Sequence, residues 1–377
     1  MRSWRPSILP RLNRLIPVMK LRLNPDTLAQ LRRRLDELGA ELGFQQVGVT
    51  GVDLPEDEGR LLEWLAQGRH GGMAFMSRHG TKRSRPAELI PGTLRVISVR
   101  MDCFAPDGRP GTEVLADPEL GYVARYALGR DYHHILRPRL QKLASRLEQE
   151  VGPFGYRAFV DSGPVMEKPL ARNAGLGWIG KHTNLINREA GSQFVLGELL
   201  TDLPLPLDSP ASDHCGSCSA CIPACPTGAI TAPYQLDARL CISYLTIEHH
   251  GPIPEPLRPA IGNRIFGCDD CQLACPWNKF AQLAADPGFR ARNGMDAPAL
   301  VELLGWTEAE YLSRTEGSAL RRLGYLRFLR NVAIGLGNAP SSQQTVEALS
   351  SRREEKDSTV REQVEWSLKR QLSPSTD

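Results

Sequence analysis

Four closely spaced cysteines constrain this chain more than any other feature. The stretch CGSCSACIPACP places two, two and three residues between its cysteines, which are Cys215, Cys218, Cys221 and Cys225. A proline follows the last of them. This spacing is that of the bacterial ferredoxin run, in which three thiolates bind one [4Fe-4S] cluster and the fourth binds a different cluster. One run is therefore incomplete, and it predicts a second run downstream.

A second, shorter run supplies the missing ligands. GCDDCQLACPWN contains Cys268, Cys271 and Cys275, which match the last three cysteines of the same pattern. Ile265 occupies the first position and cannot bind iron, whereas Cys241 is the one cysteine between the runs and is the natural replacement. Exchanging the fourth ligands predicts two complete sites: Cys215, Cys218, Cys221 and Cys275 for the first, and Cys225, Cys241, Cys268 and Cys271 for the second.

Two other uses of these cysteines compete with the iron–sulfur interpretation. A zinc ribbon has two cysteine pairs separated by a longer insert, which these tightly spaced runs fit poorly. A disulfide-rich module is the other alternative. We favour the iron–sulfur sites, which need a reducing compartment and so predict a cytoplasmic protein. The ninth cysteine, Cys103, ends the apolar stretch RVISVRMDC and is predicted to be a small buried hydrophobe.

Composition limits what the rest of the chain can be. With 377 residues, 41% hydrophobic and 24% charged, it is typical of a globular protein of two or three domains. No stretch reaches the roughly 18 apolar residues of a membrane span, so no membrane is expected. Prolines break the basic opening, residues 1–18, and it lacks an apolar core. It therefore predicts an extension of doubtful structure rather than a signal peptide, and translation from Met19 is one interpretation.

Helix and strand patterns divide the chain into three regions. Helices alternate with strands over residues 19–200, which predicts an α/β (α+β) domain with the catalytic site. A proline-rich linker leads into residues 201–285, predicted to be a ferredoxin-like domain with two [4Fe-4S] clusters. Residues 286–377 are predicted to be α-helical, with hairpins that resemble HEAT-type units.

Charge gives a weaker indication of a partner. The net charge of +3 is too small to predict nucleic-acid binding by itself. Residues 311–333, however, carry five arginines, including Arg327 and Arg330, against one glutamate. Such a face could follow a phosphate backbone, and a solvated helix surface is an equally open alternative.

Two motifs that look catalytic are better explained by other roles. AGLGWIGK, which contains Gly177, satisfies G-x-G-x-x-G, but a helical pattern precedes it and an extended one follows, the reverse of a dinucleotide site. We expect its glycines to let the backbone approach a bulky flat ligand. Asp131-Tyr132-His133 begins like a cobalt-ligating motif, but Leu136 stands where glycine is needed. We therefore predict a helix N-terminus with Asp131 near the cap.

Asp161, in FVDSGPV, is the strongest catalytic candidate. It ends an apolar strand, where burial is expected to raise its pKa and keep a proton available for general acid catalysis. The Ser-Gly-Pro turn that follows would leave the carboxyl group facing a pocket. An aspartate bonded to its own turn is the alternative.

Several long motifs together resemble a known family. VARYALGRDYHHILR, FVDSGPVMEKPLARNAGLGWIGKHTNLI, CISYLTIEHHGPIP and GCDDCQLACPWN follow the order of the epoxyqueuosine reductases, from about residue 20 to the last helices. The resemblance implies reduction of epoxyqueuosine to queuosine at the wobble position of tRNA. It also implies that the two [4Fe-4S] clusters pass electrons to base-off cobalamin, which the first domain would bind with no histidine below the cobalt.

The resemblance further implies roles for single residues. Asp161 would be the proton donor, and Arg83 and Arg125 would contact the cofactor tail. The full set bordering cobalamin would be Arg83, Arg125, Asp161, Gly177, Lys181, Ser243, Cys268 and Asp269. The C-terminal helices would hold the tRNA, and a solvated loop is the alternative for the three residues after CISYLTI. The implied tRNA contacts are Glu248, His249, His250, Arg327 and Arg330.

Two other functions stay open at the level of sequence. One is a cobalamin-dependent reductive dehalogenase that acts on a small molecule, although the helical C-terminal region suits a large substrate better. The other is a ferredoxin-type electron carrier, which would not need the large first domain. Whether the chain is an epoxyqueuosine reductase or a dehalogenase, we expect a monomer that takes its electrons from a separate reducing donor.

Overall fold

A sheet of four antiparallel strands forms the centre of the amino-terminal half. The structure is a computed structural model and describes residues 24–373, so the predicted extension at residues 1–18 lies outside it. Its strands are β1 (Gln46–Thr50), β2 (Arg95–Asp102), β3 (Tyr122–Val123), β4 (Tyr156–Phe159), β5 (Trp178–Ile179), β6 (Leu185–Ile186), β7 (Phe194–Thr201), β8 (Ile230–Ala232), β9 (Gln235–Leu236) and β10 (Arg264–Phe266). The central sheet has the order β1-β2-β7-β4, and each neighbouring pair is antiparallel.

Helices cover this sheet and build the carboxy-terminal region. They are α1 (Pro25–Glu41), α2 (Pro55–Ala66), α3 (Pro86–Leu89), α4 (Gly111–Ala116), α5 (Tyr132–Val151), α6 (Glu167–Asn173), α7 (Arg258–Ile261), α8 (Asp270–Leu273), α9 (Leu300–Gly305), α10 (Glu308–Arg314), α11 (Tyr325–Asn338), α12 (Gln343–Ser350) and α13 (Ser358–Leu372). Asp131 caps α5, because its side chain accepts the backbone N–H of His133 at 3.0 Å. This confirms the predicted helix N-terminus.

The central sheet is buried on both faces. β2 and β7 lie in its middle and are buried along nearly their whole length. On one face, Val99 and Leu199 pack in the same core as leucines of α1 and α5. On the other face, Val96 and Leu200 pack with Leu170 of α6. An antiparallel sheet with helices on both sides is an α+β arrangement, which agrees with the predicted fold class.

The cysteine-rich region has little regular structure. β8 and β9 form a short hairpin, and a π-helix over Tyr244–Glu248 follows Cys241. β10 pairs in parallel with β3, which belongs to the amino-terminal half. This pairing joins the cysteine-rich region directly to the region that contains the central sheet.

The carboxy-terminal helices share cores with both preceding regions. Phe328 of α11 packs in one core with Val123 and Phe266. Trp366 of α13 packs in another with Ile242. The helical prediction for residues 286–377 is confirmed within the described range, while the boundaries at 200/201 and 285/286 stay predictions. No helix within residues 24–373 has the length and apolar content that crossing a bilayer would require.

Candidate functional site

The structure brings together the four cysteines predicted for the first cluster. Their thiol groups border one cavity of about 20 Å³. Three of them precede β8 in the chain, and Cys275 follows α8, so two distant segments converge as the crossed assignment requires. Cys218 is exposed, which puts this site near the protein surface.

The four cysteines predicted for the second cluster also lie close to one another. Cys241 and Cys268 pack against the same apolar core. Burial raises the pKa of the Cys271 thiol to about 12, and the nearby charges of Cys241 and Cys225 add to the rise. Cys241 is thus placed where the second run lacks its first cysteine. All four cysteines of the second site are partly buried, whereas Cys218 of the first site is exposed.

The cysteine geometry disfavours the disulfide and zinc alternatives. All nine cysteines are free thiols. Within residues 24–373, no three His, Cys, Asp or Glu side chains are grouped closely enough to hold a single metal ion. Four thiolates around one zinc would stand roughly 3.8 Å apart, given Zn–S bonds of about 2.3 Å. Thiolates that each bind a different iron of a cube stand further apart.

Two buried donors fit an acceptor in the first cluster cavity. His182 lines this cavity, and its Nδ1 accepts the backbone N–H of Asn184 at 3.1 Å, so its other nitrogen, Nε2, carries the proton. Nε2 has no partner among the described residues, and neither does Nε1 of Trp178, which packs against Cys275. Hydrogen bonds to cluster sulfurs are known to tune iron–sulfur sites, so both orphaned donors suit the group that the cysteines predict.

Lys181 and Gly177 do not line the larger of the protein's two described cavities, which is the one where a cofactor would bind. The Lys181 ammonium donates to the carbonyl oxygens of Gly216 and Cys218 at 2.7 and 2.8 Å, which fastens the loop of the first cluster. A Cβ at Gly177 would stand 2.2 Å from the carbonyl oxygen of Ile186. This glycine therefore admits the neighbouring strand β6 rather than a flat ligand, which corrects the expectation for the Gly-rich stretch.

A larger cavity of about 260 Å³ brings together three residues of the predicted cofactor set, Ser243, Cys268 and Asp269. The Asp269 carboxylate accepts the Tyr122 hydroxyl and the Arg125 backbone N–H, both at 2.7 Å. Cys268 is both a predicted ligand of the second cluster and part of this cavity wall. The cluster region and the cavity are therefore in direct contact.

Polar groups on the other walls of this cavity suit a ligand rich in amides. The Lys168 ammonium donates to the Thr183 carbonyl oxygen and the Asn184 side chain, at 3.0 Å each. Burial lowers the pKa of Lys168. Gln272 and two tyrosine rings also line the cavity. The predicted cobalamin has a flat ring with a rim of carboxamides, and these donors and aromatic faces fit such a group.

Asp161 lies beside the tyrosine side of this cavity. It follows β4, and its φ of 46° is in the left-handed region, which costs a non-glycine residue roughly 1 kcal/mol or more. Its Oδ2 is 3.5 Å from Nε2 of His133 and 3.8 Å from the Arg322 guanidinium. Tyr132, which lines the cavity, stacks on the His133 ring with centroids 4.3 Å apart.

The surroundings of Asp161 lower its pKa. Burial alone would raise the pKa, but the hydrogen bond and charge of His133, together with the charge of Arg322, outweigh burial. Burial similarly opposes the charged form of His133. Asp131, whose Oδ1 is 2.6 Å from Nδ1 of His133, and Asp161 outweigh burial and raise the pKa of His133 to about 9. At neutral pH an imidazolium therefore stands between two carboxylates. The expectation of a raised pKa at Asp161 is wrong.

Arg83 and Arg125 are both buried and line neither cavity. Burial lowers the pKa of Arg83, and the charges of Asp161 and Glu167 oppose this, so Arg83 lies on the Asp161 side of the site. Arg125 donates to two backbone carbonyls, both at 3.2 Å. One guanidinium nitrogen of Arg83 and two of Arg125 have no partner among the described residues. Both could still donate to a bound group.

The residues predicted to contact tRNA fall into two classes. Arg330 is fully buried and donates to three backbone carbonyls at 2.7 to 2.9 Å, and burial lowers its pKa to about 9. It cannot reach RNA from this position, which corrects that prediction. Arg327 is half-buried and also bonds to carbonyl oxygens. Glu248 and His249 are half-buried, and His250 is exposed.

Three charged side chains of the site were absent from the predicted set. His133 lay in a motif interpreted only as a helix N-terminus, and Arg322 was one arginine of a basic face. Lys168 stood in a helical pattern without any special spacing. No local signal joins these positions, because the fold brings them together from α5, α6 and the turn before α11.

Two family models match the chain. Residues 214–278 match the 4Fe-4S double cluster binding domain, which shows that the cysteine-rich region binds two [4Fe-4S] clusters. Residues 83–162 match the model described as Epoxyqueuosine reductase QueG, DUF1730.

Similar proteins cover nearly the whole chain. The epoxyqueuosine reductase of Xanthomonas campestris is 61% identical over 335 residues, 89% of this chain and 94% of that protein. The one of Pseudomonas aeruginosa is 59% identical over 350 residues, 92% of this chain and 96% of that protein.

Solved structures agree with these relatives. One is an epoxyqueuosine reductase crystallised with an epoxyqueuosine-modified tRNA-Tyr stem loop, with a TM-score of 0.84 at 28% identity over 92% of each chain. Another is the Bacillus subtilis enzyme with its catalytic loop swung out of the active site, with a TM-score of 0.84 at 27% identity over 92% of each chain. The cluster cysteines, the fold and these relatives together show that the chain belongs to the epoxyqueuosine reductase family.

Proposed function

We infer that the chain reduces epoxyqueuosine to queuosine in tRNA. Its relatives at 61% and 59% identity are epoxyqueuosine reductases, and a structural relative was solved with a modified tRNA stem loop. In this reaction two electrons and two protons convert the epoxide to an alkene and one water. The protein must therefore conduct electrons to the substrate, deliver a proton to the departing oxygen and bind a splayed wobble base.

The proposed path of the electrons rests on one observation. Cys268 is a predicted ligand of the second cluster and also borders the larger cavity. The exposed Cys218 lies at the first cluster, at the other end of the cysteine-rich region. Electrons from a separate donor would enter at the first cluster, pass to the second and leave at the cavity wall.

We propose that this cavity holds base-off cobalamin. When bound, cobalamin supplies a low-potential cobalt centre for the reduction. Lys168, Ser243 and Gln272 would hold its carboxamides, and the rings of Tyr126 and Tyr132 would border its face. The chain's part is to position the cofactor and the base and to keep water away from them.

Asp161 is the proposed proton donor to the epoxide oxygen. Because its pKa is lowered, Asp161 is ionised before reaction and has to receive the proton that it donates. His133 is the nearest source, since its protonated Nε2 is 3.5 Å from Asp161 Oδ2. Asp131 holds the other side of the imidazole ring. A proton passes from His133 to Asp161 and on to the oxygen as negative charge develops there.

The tRNA is proposed to approach over the exposed arginines beside this site. Arg321 and Arg322 are exposed, and Arg322 reaches within 3.8 Å of Asp161. They would bind the phosphate backbone while the wobble base enters the cavity. His250 lies near Arg327, which donates to the Arg322 carbonyl oxygen. We also propose a monomer that works in the cytoplasm, where the thiolate ligands stay reduced.

Nucleoside mass spectrometry tests this function. Deleting the gene is expected to leave epoxyqueuosine in the tRNA, and expressing the chain again is expected to restore queuosine. Unchanged queuosine in the deletion strain would contradict the assignment. A plain electron carrier would not act on purified modified tRNA, so conversion by the anaerobically purified protein with a chemical reductant separates the two functions.

A further inference from the structure

Two glutamates lie behind the Asp161 loop, in the face of the sheet that α6 covers. Glu198 is in the middle of β7, with its side chain wholly buried. Neither of its carboxyl oxygens has a hydrogen-bond partner among the described residues. Its cross-strand neighbours are Ser98 on β2 and Phe159 on β4. A charged carboxylate is very unfavourable in such a place unless it is paired, so its protonation state needs an explanation.

Glu167 connects this buried group to the catalytic loop. It stands in the first turn of α6, and its carboxylate accepts the backbone N–H of Asp161. The carboxyl groups of Glu167 and Glu198 lie close enough to affect each other's pKa. Glu167 is thus the one link between the wholly buried Glu198 and the backbone of Asp161 that the described contacts provide.

The charged groups around this pair do not neutralise it. His133 and Asp161 lie on the cavity side, and Arg83 and Lys168 are the surrounding cations. Arg83 and Lys168 each donate to oxygens other than those of the glutamates. Burial raises the pKa of both glutamates. The charge of Asp161 adds to the rise at Glu167, and the charge of Glu167 adds to the rise at Glu198. Two neighbouring carboxyl groups in such a site resist being charged together, so at neutral pH they keep one proton between them.

The Asp161 loop needs an anchor of this kind. Asp161 has a left-handed backbone, which only surrounding contacts can maintain in a non-glycine residue. The loop also sits tightly on β4, because a Cβ at Gly163 would stand 2.3 Å from the Phe159 ring. Phe159 is the cross-strand neighbour of Glu198. The two glutamates and Phe159 therefore form the floor on which the loop rests.

We propose that Glu167 and Glu198 share one proton and hold the Asp161 loop in its catalytic position, so that Glu198 is a positioning residue. Protonated Glu198 donates to one oxygen of Glu167, and the other oxygen accepts the Asp161 N–H. When the shared proton leaves, two like charges face each other, Glu167 moves away and the loop is released. This inference rests on the proposed role of Asp161.

Hydrogen exchange of the loop amides, residues 161–163, tests the proposal across a pH series. In the wild type, protection of these amides is expected to fall as the pH rises and the pair loses its proton. Glu198→Gln keeps a neutral donor at every pH, so its loop is expected to stay protected. Glu198→Leu removes the donor and is expected to lower protection at all pH values. Glu56→Gln makes the same carboxyl-to-amide change at an exposed position and should behave as the wild type.

Turnover gives a second measurement. Glu198→Leu is expected to lower kcat by roughly tenfold to a hundredfold with little change in KM for tRNA, because a misplaced acid slows the chemical step more than binding. Glu198→Gln is expected to stay within a few-fold of the wild type at neutral pH. Iron content near that of the wild type confirms that each variant is folded.

The outcomes separate this proposal from the role of Asp161. If the loop of Glu198→Gln loses protection with rising pH as the wild type does, the shared proton does not hold the loop and the proposal is overturned. If Asp161→Asn turns over normally, the donor role of Asp161 is wrong, whereas the exchange measurement still decides whether the glutamates hold the loop. Inactive Asp161→Asn together with a pH-independent loop in Glu198→Gln supports both.

Discussion

The ligands of the cysteine-rich region lie close together in the sequence, whereas the residues of the catalytic cavity lie far apart in it. Seven of the eight predicted cluster ligands lie in two short runs, so their spacing alone predicts two clusters. The residues around the larger cavity extend from Cys103 to Gln272 and meet only in the folded chain. A chelating site needs ligands at fixed short spacings, whereas an acid–base site needs only a final geometry. The first can be predicted from spacing, and the second requires the fold.

Cys241→Ala should have the largest effect and tests whether the cluster region is independent of the cavity. Cys241 supplies the second cluster from outside both runs, so its loss is expected to halve an iron content of about eight per chain and to abolish turnover. Iron analysis and electron paramagnetic resonance of the reduced protein measure this. The control for iron content is Cys103→Ala, which removes a buried thiol that is not a predicted cluster ligand. Retention of about eight irons in Cys241→Ala would contradict the ligand assignment.

Asp161→Asn tests the opposite case, in which both clusters are intact but the catalytic cavity is inactive. Removing the proton donor is expected to lower turnover by roughly a hundredfold to ten-thousandfold, while iron content and tRNA affinity stay near those of the wild type. Assays with reduced donor and epoxyqueuosine-containing tRNA measure it. Equal activity of the mutant would remove Asp161 from the mechanism.

Arg330→Met extends the comparison to the helical region. Arg330 donates to the carbonyl oxygens of Leu245, in the π-helix, and of His249 and Gly251, in the loop after it. Its loss leaves those oxygens unpaired and is expected to cost about 3 kcal/mol in the free energy of unfolding. Urea unfolding measures this. Arg321→Met, at an exposed position, is expected to leave stability unchanged and to weaken tRNA binding with a smaller salt dependence. The reverse pattern would make Arg330 the RNA contact.

His133→Gln gives the smallest expected effect and sharpens the picture of the cavity electrostatics. Turnover is expected to fall about tenfold at neutral pH, because the charged imidazole supplies the proton. In the wild type the pKa of His133 is raised to about 9, so turnover should hold below that pH and decline above it. Its contribution to stability should likewise be complete below about 6.5 and lost as the pH rises through 9. An unchanged alkaline decline in the mutant would assign that decline to another group.

The sequence predicted much of the fold and one class of site. Helix α1 begins where Asn24 and Pro25 place it, and Asp131 caps α5, because caps depend on neighbouring residues. The lowered pKa of Asp161 was not predictable, since it depends on a histidine 28 positions earlier and on Arg322, far along the chain. The burial of Arg330 was equally hidden, because a row of arginines looks the same in sequence whether it faces water or carbonyl oxygens.

The parallel pairing of β3 with β10 has a further consequence. Electron tunnelling slows exponentially with distance, and a backbone ladder between the two halves fixes the separation of cluster and cavity. An enzyme built in this way cannot control electron transfer by moving the cysteine-rich region away from the amino-terminal half. The timing of electron transfer must then depend on the binding of the tRNA and on small loops at the entrance of the cavity.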